Sequence, residues 1–160
     1  MKLLVFADSH GARKNIVEAI KRSGAGVELV LFLGDGLNDL EYARSCFPEL
    51  SFFEVRGNCD LFAGDIPKQA VLDLDGAKLL VTHGDKYNVK YGLTTITYST
   101  AELEADGAFF GHTHQPLEKC EYVADRRIQL FNPGSIAQGS YGVVNIVKGV
   151  IITNIINLFA

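Results

Sequence analysis

All four histidines of the chain fall inside short polar motifs: Asp8-Ser9-His10, His83-Gly84-Asp85 and Gly111-His112-Thr113-His114. Two further motifs add a carboxylate and an amide, Gly34-Asp35 and Gly57-Asn58-Cys59-Asp60. Taken singly, each residue has a plain reading. A lone Asp after a strand is more often a helix cap or turn former, and a lone His is more often a packed core residue than a ligand. Random scatter would not put every histidine in such a motif. Imidazole and carboxylate together suit Zn, Mn, Fe or Ni better than Ca. In an extended segment, residues two apart point to the same side. Asp8 with His10, and His112 with His114, are therefore each expected to offer two ligands to one site.

Every motif follows an apolar run. Residues 2–7, 28–33, 51–55, 78–82 and 108–110 read as strands, and each ends in one of the five motifs. Ligands of α/β sheets bind beyond the carboxyl ends of the strands. If the five strands are neighbours, the motifs converge on one rim. Gly34, Gly57, Gly84 and Gly111 allow sharp bends or close approach at that rim.

Between the first two strands, Ile16, Ala19 and Ile20 recur at helical spacing within residues 15–22. Between the next two, Leu40, Ala43 and Phe47 do so in residues 37–46. Strand, helix, strand, helix, strand predicts a parallel sheet covered by helices. Later the pattern changes. Residues 69–74 and 78–82 flank a turn at Asp73-Leu74-Asp75-Gly76, and residues 143–147 and 150–155 flank Lys148-Gly149, so both pairs read as hairpins. Residues 91–105 read as a helix, the crossover that a strand at 108–110 requires. The expectation is one domain, residues 1–160, of class α/β with two packed sheets.

Composition narrows the function classes. At 48% apolar and 21% charged, the 160 residues suit one globular domain and argue against disorder. The net charge is −4, and Lys21-Arg22 and Arg126-Arg127 are isolated basic pairs. Stable nucleic-acid binding, which needs clustered cations, is not expected. Cys46, Cys59 and Cys120 make neither a disulfide framework nor a CxxC metal site. The apolar C-terminal stretch is broken by Asn145, Lys148, Gly149, Thr153, Asn154 and Asn157, so no membrane span is expected. The compartment that fits is reducing and cytoplasmic. The aliphatic C-terminal strands predict an apolar face covered in a homo-oligomer.

The ordered set DSH, GD, GNCD, HG and GHTH resembles the calcineurin-like metallophosphoesterase superfamily. The short chain, the Cys of GNCD and the later Asn132-Pro133-Gly134-Ser135 are similar to its small single-domain phosphodiesterase branch of bacteria and archaea. The resemblance runs from residue 8 to residue 135. It implies a four-layer α/β/β/α sandwich with two packed mixed sheets. It further implies two divalent metal ions, Mn foremost, with Ni, Fe or Zn as alternatives. Asp8, His10 and His114 would hold the first ion, and Asn58, His83 and His112 the second, with Asp35 bridging. The implied chemistry is hydrolysis of a small phosphodiester by a metal-bridging hydroxide, with Asp35 and Asn58 catalytic and Asn58, Cys59 and Asn132 at the substrate. Two other readings stand beside it. One is a phosphomonoesterase or nucleotide hydrolase using the same site. The other is a metal-binding scaffold with little turnover.

Two positions depart from the resembled pattern. Relatives usually carry GNHD, whose His is thought to protonate the leaving group; here Cys59 stands there. Losing a tuned general acid costs about 10²–10⁴-fold, so esters with good leaving groups are expected to react best. Where many relatives have HGH, this chain has His83-Gly84-Asp85. An ionised Asp85 near the site repels a dianionic monoester more than a monoanionic diester.

Overall fold

A computed structural model describes residues 1–160, and in it two five-stranded mixed sheets face each other. The first has the order β10-β9-β1-β2-β3. Its strands are β1 (Lys2–Phe6), β2 (Val27–Phe32), β3 (Phe52–Glu54), β9 (Ser140–Val147) and β10 (Val150–Asn157). The second has the order β4-β5-β6-β8-β7. Its strands are β4 (Gln69–Leu74), β5 (Ala77–Thr82), β6 (Gly107–Phe109), β7 (Leu117–Val123) and β8 (Arg126–Asn132). β1, β2 and β3 run parallel, as do β5, β6 and β8. Hairpin partners β9, β10, β4 and β7 make both sheets mixed.

Alternation along the central strands builds the layers. In β1, Leu3 and Val5 join Leu31, Leu79, Val81, Phe109 and Phe131 between the sheets. Leu4 and Phe6 turn the other way, onto Ile16, Ala19 and Ile20 of α1 (Arg13–Ser23) and Leu40 and Ala43 of α2 (Leu37–Cys46). The second sheet's outer face, with Leu80, Ala108, Ile128 and Leu130, packs on Ile96 of α3 (Thr94–Glu102). Helices, sheet, sheet, helix is the four-layer sandwich that was expected. Helix α3 holds despite its Thr content, because Thr97 and Thr100 turn their hydroxyls onto Leu93 and Ile96 carbonyls at 2.6 Å.

Both expected hairpins are present. Asp75 with Gly76 and Lys148 with Gly149 have positive φ at both turn positions, the geometry whose twist matches paired strands. The neighbour relation needs correcting. The five motif-bearing strands do not form one sheet: β1, β2 and β3 belong to the first and β5 and β6 to the second. β7 and β8 are two strands beyond those that the apolar runs predict. No helix is long and apolar enough to cross a membrane.

Candidate metal centre

The carboxyl ends of β1, β2, β3, β5 and β6 meet at one end of the sandwich, so the five motifs share a rim built by both sheets. Backbone bonds lace it together. Asp8 N–H donates to Gly34 O at 3.0 Å, Ser9 N–H to Asp35 O at 3.0 Å, and Gly111 N–H to His83 O at 2.9 Å. Asp8, His10, Asp35, His112 and His114 all take positive φ, half of the ten non-glycine residues that do. Such backbone is disfavoured for L residues and concentrates at functional sites. The extended geometry assumed for Asp8 with His10, and for His112 with His114, is therefore wrong. The chain coils tightly there, and the pairs behave differently.

Two triads of donors result. Asp8, His10 and His114 form one, and Asp35, His83 and His112 the other, with the donor atoms of each within 4.8 Å of one another. Asp8 and His10 share a triad as expected, whereas His112 and His114 divide between the two. Asp35 Oδ2 links them, 3.2 Å from His83 Nε2 and 3.9 Å from His10 Nε2. His114 Nε2 lies 3.3 Å from both Asp8 Oδ1 and His10 Nε2.

The surroundings orient each donor. His83 is fully buried, and its Nδ1 donates to Leu33 O at 2.7 Å. That bond fixes the tautomer and turns the Nε2 lone pair toward Asp35 and toward His112 Nδ1, 3.1 Å away. Asp8 Oδ2 accepts His112 N–H at 3.0 Å, while Asp8 Oδ1 is buried with no hydrogen-bond partner. Burial raises the Asp8 pKa, against the pull of His83 and His114. For Asp35, burial works the same way but loses to the His83 hydrogen bond and charge and to the Cys59 amide, so its pKa falls. His83 is raised: burial opposes its charge, and Asp35 and Asp8 outweigh burial. His112 is lowered by burial and by His83.

A cation fits these donors. An orphaned buried carboxylate oxygen faced by imidazole nitrogens is unfavourable as it stands. It becomes favourable around a divalent ion. The mixed Asp and His donor set belongs to transition ions.

Asp60 secures the bridging residue. Its Oδ2 accepts N–H groups of Asp35 and Gly57 at 2.8 Å each, and its Oδ1 those of Gly36 and Leu37 at 2.9 and 3.1 Å. One carboxylate thereby sets the loops after β2 and β3 and the start of α2. Gly57 is fixed by space: a Cβ there would stand 2.0 Å from Asp35 Oδ1.

The remaining expected site residues lie elsewhere. Asn58 is exposed on the rim, its amide nitrogen 3.6 Å from Cys59 Sγ. Cys59 is exposed beside the centre, its Sγ within 4.8 Å of donors of His10 and Asp35. Asn132 needs correcting. It is fully buried, its amide donating to Gly111 O at 2.9 Å and Thr113 Oγ1 at 3.0 Å while its Oδ1 accepts Gly134 N–H at 2.9 Å. Spent on the backbone, it shapes the loop that carries His112 and His114 instead of meeting substrate. Asp39 and Ser135 of the Asn132-Pro133-Gly134-Ser135 motif brace the centre from behind. Asp39 Oδ2 accepts Ser9 Oγ–H at 2.6 Å and Gly11 N–H at 2.8 Å, and Ser135 donates to Asp8 O at 2.8 Å. Asp39 has no sequence signal, since its contacts with Ser9 and Gly11 arise only through the fold.

A four-layer sandwich with paired Asp and His triads at the strand ends defines a phosphoesterase-type metal centre. Residues 1–151 match the calcineurin-like phosphoesterase superfamily domain, and the chain belongs to that superfamily. It is 35% identical over 136 residues, 85% of this chain and 75% of the relative, to the probable metallophosphoesterase YsnB of Bacillus subtilis strain 168. A predicted phosphoesterase from Streptococcus pneumoniae TIGR4 superposes with a TM-score of 0.78 at 27% identity, covering 98% of this chain and 88% of that one. Two solved structures share the fold at lower identity. An archaeal phosphodiesterase has a TM-score of 0.73 at 20% identity, covering 98% of this chain and 100% of that one. A Vps29 variant from Entamoeba histolytica has a TM-score of 0.71 at 18% identity, covering 99% of both chains.

Proposed function

We propose that the chain is a metal-dependent phosphodiesterase. The observation that carries this reading is Asp35, whose Oδ2 stands between a triad containing His10 and one containing His83. In this reading Asp8, His10 and His114 hold one divalent ion, and His83, His112 and Asn58 the other, with Asp35 on both. Bound there, two such ions would supply positive charge for a phosphate group and lower the pKa of water. The protein supplies the rest. Asp60 and Gly57 hold Asp35 in place, Leu33 fixes the His83 tautomer, and the exposed Asn58 amide is free to donate to a phosphate oxygen.

A diester is the better substrate in this reading. Asp85 lies on the same cavity as Asn58, and its carboxylate repels a dianion more than a monoanion, with Arg56 and Lys68 on that cavity tempering the effect. The likeness to an archaeal phosphodiesterase supports the same choice. The homo-oligomer has support in Val147, Val150 and Ile152, each at least 50% exposed on β9 and β10.

Hydrolysis of bis(p-nitrophenyl) phosphate by chelator-stripped protein, with and without Mn²⁺, tests the reading. Asp35→Asn serves as the blank. Activity restored by metal and absent from the variant is expected. No activity with Mn, Ni, Fe or Zn would overturn it in favour of a scaffold.

A further inference from the structure

Beside the centre lies a cavity of about 290 Å³ lined by Leu37, Asn38, Cys59, Asp60, Leu61, Phe62 and Ala63. Its floor is the start of α2, and its wall is the loop after β3. Phe62 is 99% exposed and Leu61 79% exposed, next to a thiol that reaches the His10 and Asp35 donors. Large side chains displayed this fully are a liability unless something covers them. Two points identify the cover. Leu37, Asn38, Cys59 and Asp60 line this cavity and also a second one, of about 290 Å³, that opens on His10 and Asp35. A phosphate at the donors therefore has its substituent at the mouth of the apolar cavity. In addition, the Cys59 thiol at this mouth lies within reach of the donor atoms. Cys59 is small, its thiol is a weak donor, and the Asp60 carboxylate is spent on four backbone N–H groups, so the passage favours an uncharged, apolar group.

Building on the phosphodiesterase reading, we infer that Leu61, Phe62 and Leu37 form a subsite for an aromatic ring on the ester arm that stays on phosphorus. A planar ring carried on phosphate stacks on Phe62 and slides against Leu61. One stacked ring gives a discrimination of about tenfold, toward the lower end for base-on-aromatic stacking.

The test holds the leaving group constant. Phenyl p-nitrophenyl phosphate and methyl p-nitrophenyl phosphate both release p-nitrophenolate, so only the retained arm differs. With Mn²⁺, the wild-type kcat/KM is expected to favour the phenyl ester about tenfold, expressed mainly in KM. Phe62→Ala should bring the ratio to about one, while Tyr122→Ala, an exposed aromatic on the distant β7, should keep it. NMR gives a readout without turnover: phenylphosphonate should shift the Phe62 ring signals, and methylphosphonate should not. Equal rates on the two esters, or a ratio that survives Phe62→Ala, overturn the subsite and leave the phosphodiesterase reading standing. Cleavage of neither ester with any of the four metals overturns that reading, and the subsite with it. Sedimentation covers the other occupant. A dimer that Leu61→Ser with Phe62→Ser splits into monomers, with the ester ratio unchanged, would make this face a contact between copies and overturn the subsite.

Discussion

Asp8 Oδ2 accepts the backbone N–H of His112 at 3.0 Å, and this bond ties the end of β1 in one sheet to the end of β6 in the other. The same carboxylate leaves its Oδ1 buried without a partner. Asp8 therefore serves two purposes that oppose each other in the metal-free protein: it fastens the rim and it stores an unsatisfied charge.

Asp8→Asn should separate the two. The amide oxygen can keep the His112 bond, and the nitrogen can donate to the imidazole that faces Oδ1. Since burial raises the Asp8 pKa, its charged form costs stability in the metal-free chain, and the neutral side chain removes that cost. The metal-free variant should gain about 1 kcal/mol, or about 2–4 °C in Tm. It should lose most of the stabilisation that Mn²⁺ gives the wild type. A metal-free variant less stable than wild type in a thermal melt would contradict this account.

His83 sets the pH dependence. Its folded-state pKa is raised, so its contribution to the stability of the metal-free chain is fully present below about 6.5 and is lost as pH rises through the raised value. A bound divalent ion replaces that proton. The Tm difference between loaded and stripped protein should therefore widen from pH 6 to pH 8, with protons released on loading. A gap that stays constant or narrows over that range would remove His83 as the group responsible.

Much of this was legible in residue order. Strand ends, turns and the five motifs are local signals, and α2 and β4 fall at the residues expected for them. Two features were hidden. β7 alternates Glu118, Cys120 and Tyr122 with Leu117, Lys119, Glu121 and Val123, too polar for an apolar run to mark it. β8 opens on Arg126 and Arg127 and closes on Asn132, so its apolar core is short. The family resemblance divided His112 from His114 as the structure does, but the residue spacing alone did not. Period two put His112 and His114 on one side, yet both take positive φ and send their rings to different triads. Asn132 looked like a ligand-facing loop residue because its hydrogen bonds to Gly111 and Thr113 depend on a strand pairing, β6 with β8, that no local pattern shows.

Asp60 carries a larger structural load than its place in the motif suggests. It accepts four backbone N–H groups from two segments, Asp35 to Leu37 and Gly57. Asp60→Ala leaves them without their acceptor and should cost about 3 kcal/mol. Asp60→Asn keeps one oxygen and turns an NH₂ toward two donors, so it should fall between. Because Asp35 moves with this network, Mn²⁺ affinity measured by calorimetry should drop in the same order. Unchanged affinity in Asp60→Ala would show that Asp35 is held by other contacts.

In the phosphodiesterase reading proposed above, Cys59 sets which leaving groups react. Partial burial and then the Asp35 carboxylate raise its pKa, so the thiol stays neutral at pH 7 and is not a thiolate nucleophile. As an acid it is weak and poorly donating. Its backbone N–H is already committed to Asp35 Oδ1 at 2.8 Å, which holds the residue at the mouth with its side chain exposed. Cys59→His would place an imidazole titrating near pH 6.5 at that point. Diesters with alkyl leaving groups, which need a proton as the bond breaks, should react about 10²-fold faster. Bis(p-nitrophenyl) phosphate, whose leaving group needs none, should change little. The alkyl reaction should also acquire a falling limb above the pKa of the new imidazole, because only the protonated ring can donate. Equal effects on both ester types, or none on either, would mean that position 59 does not approach the leaving oxygen.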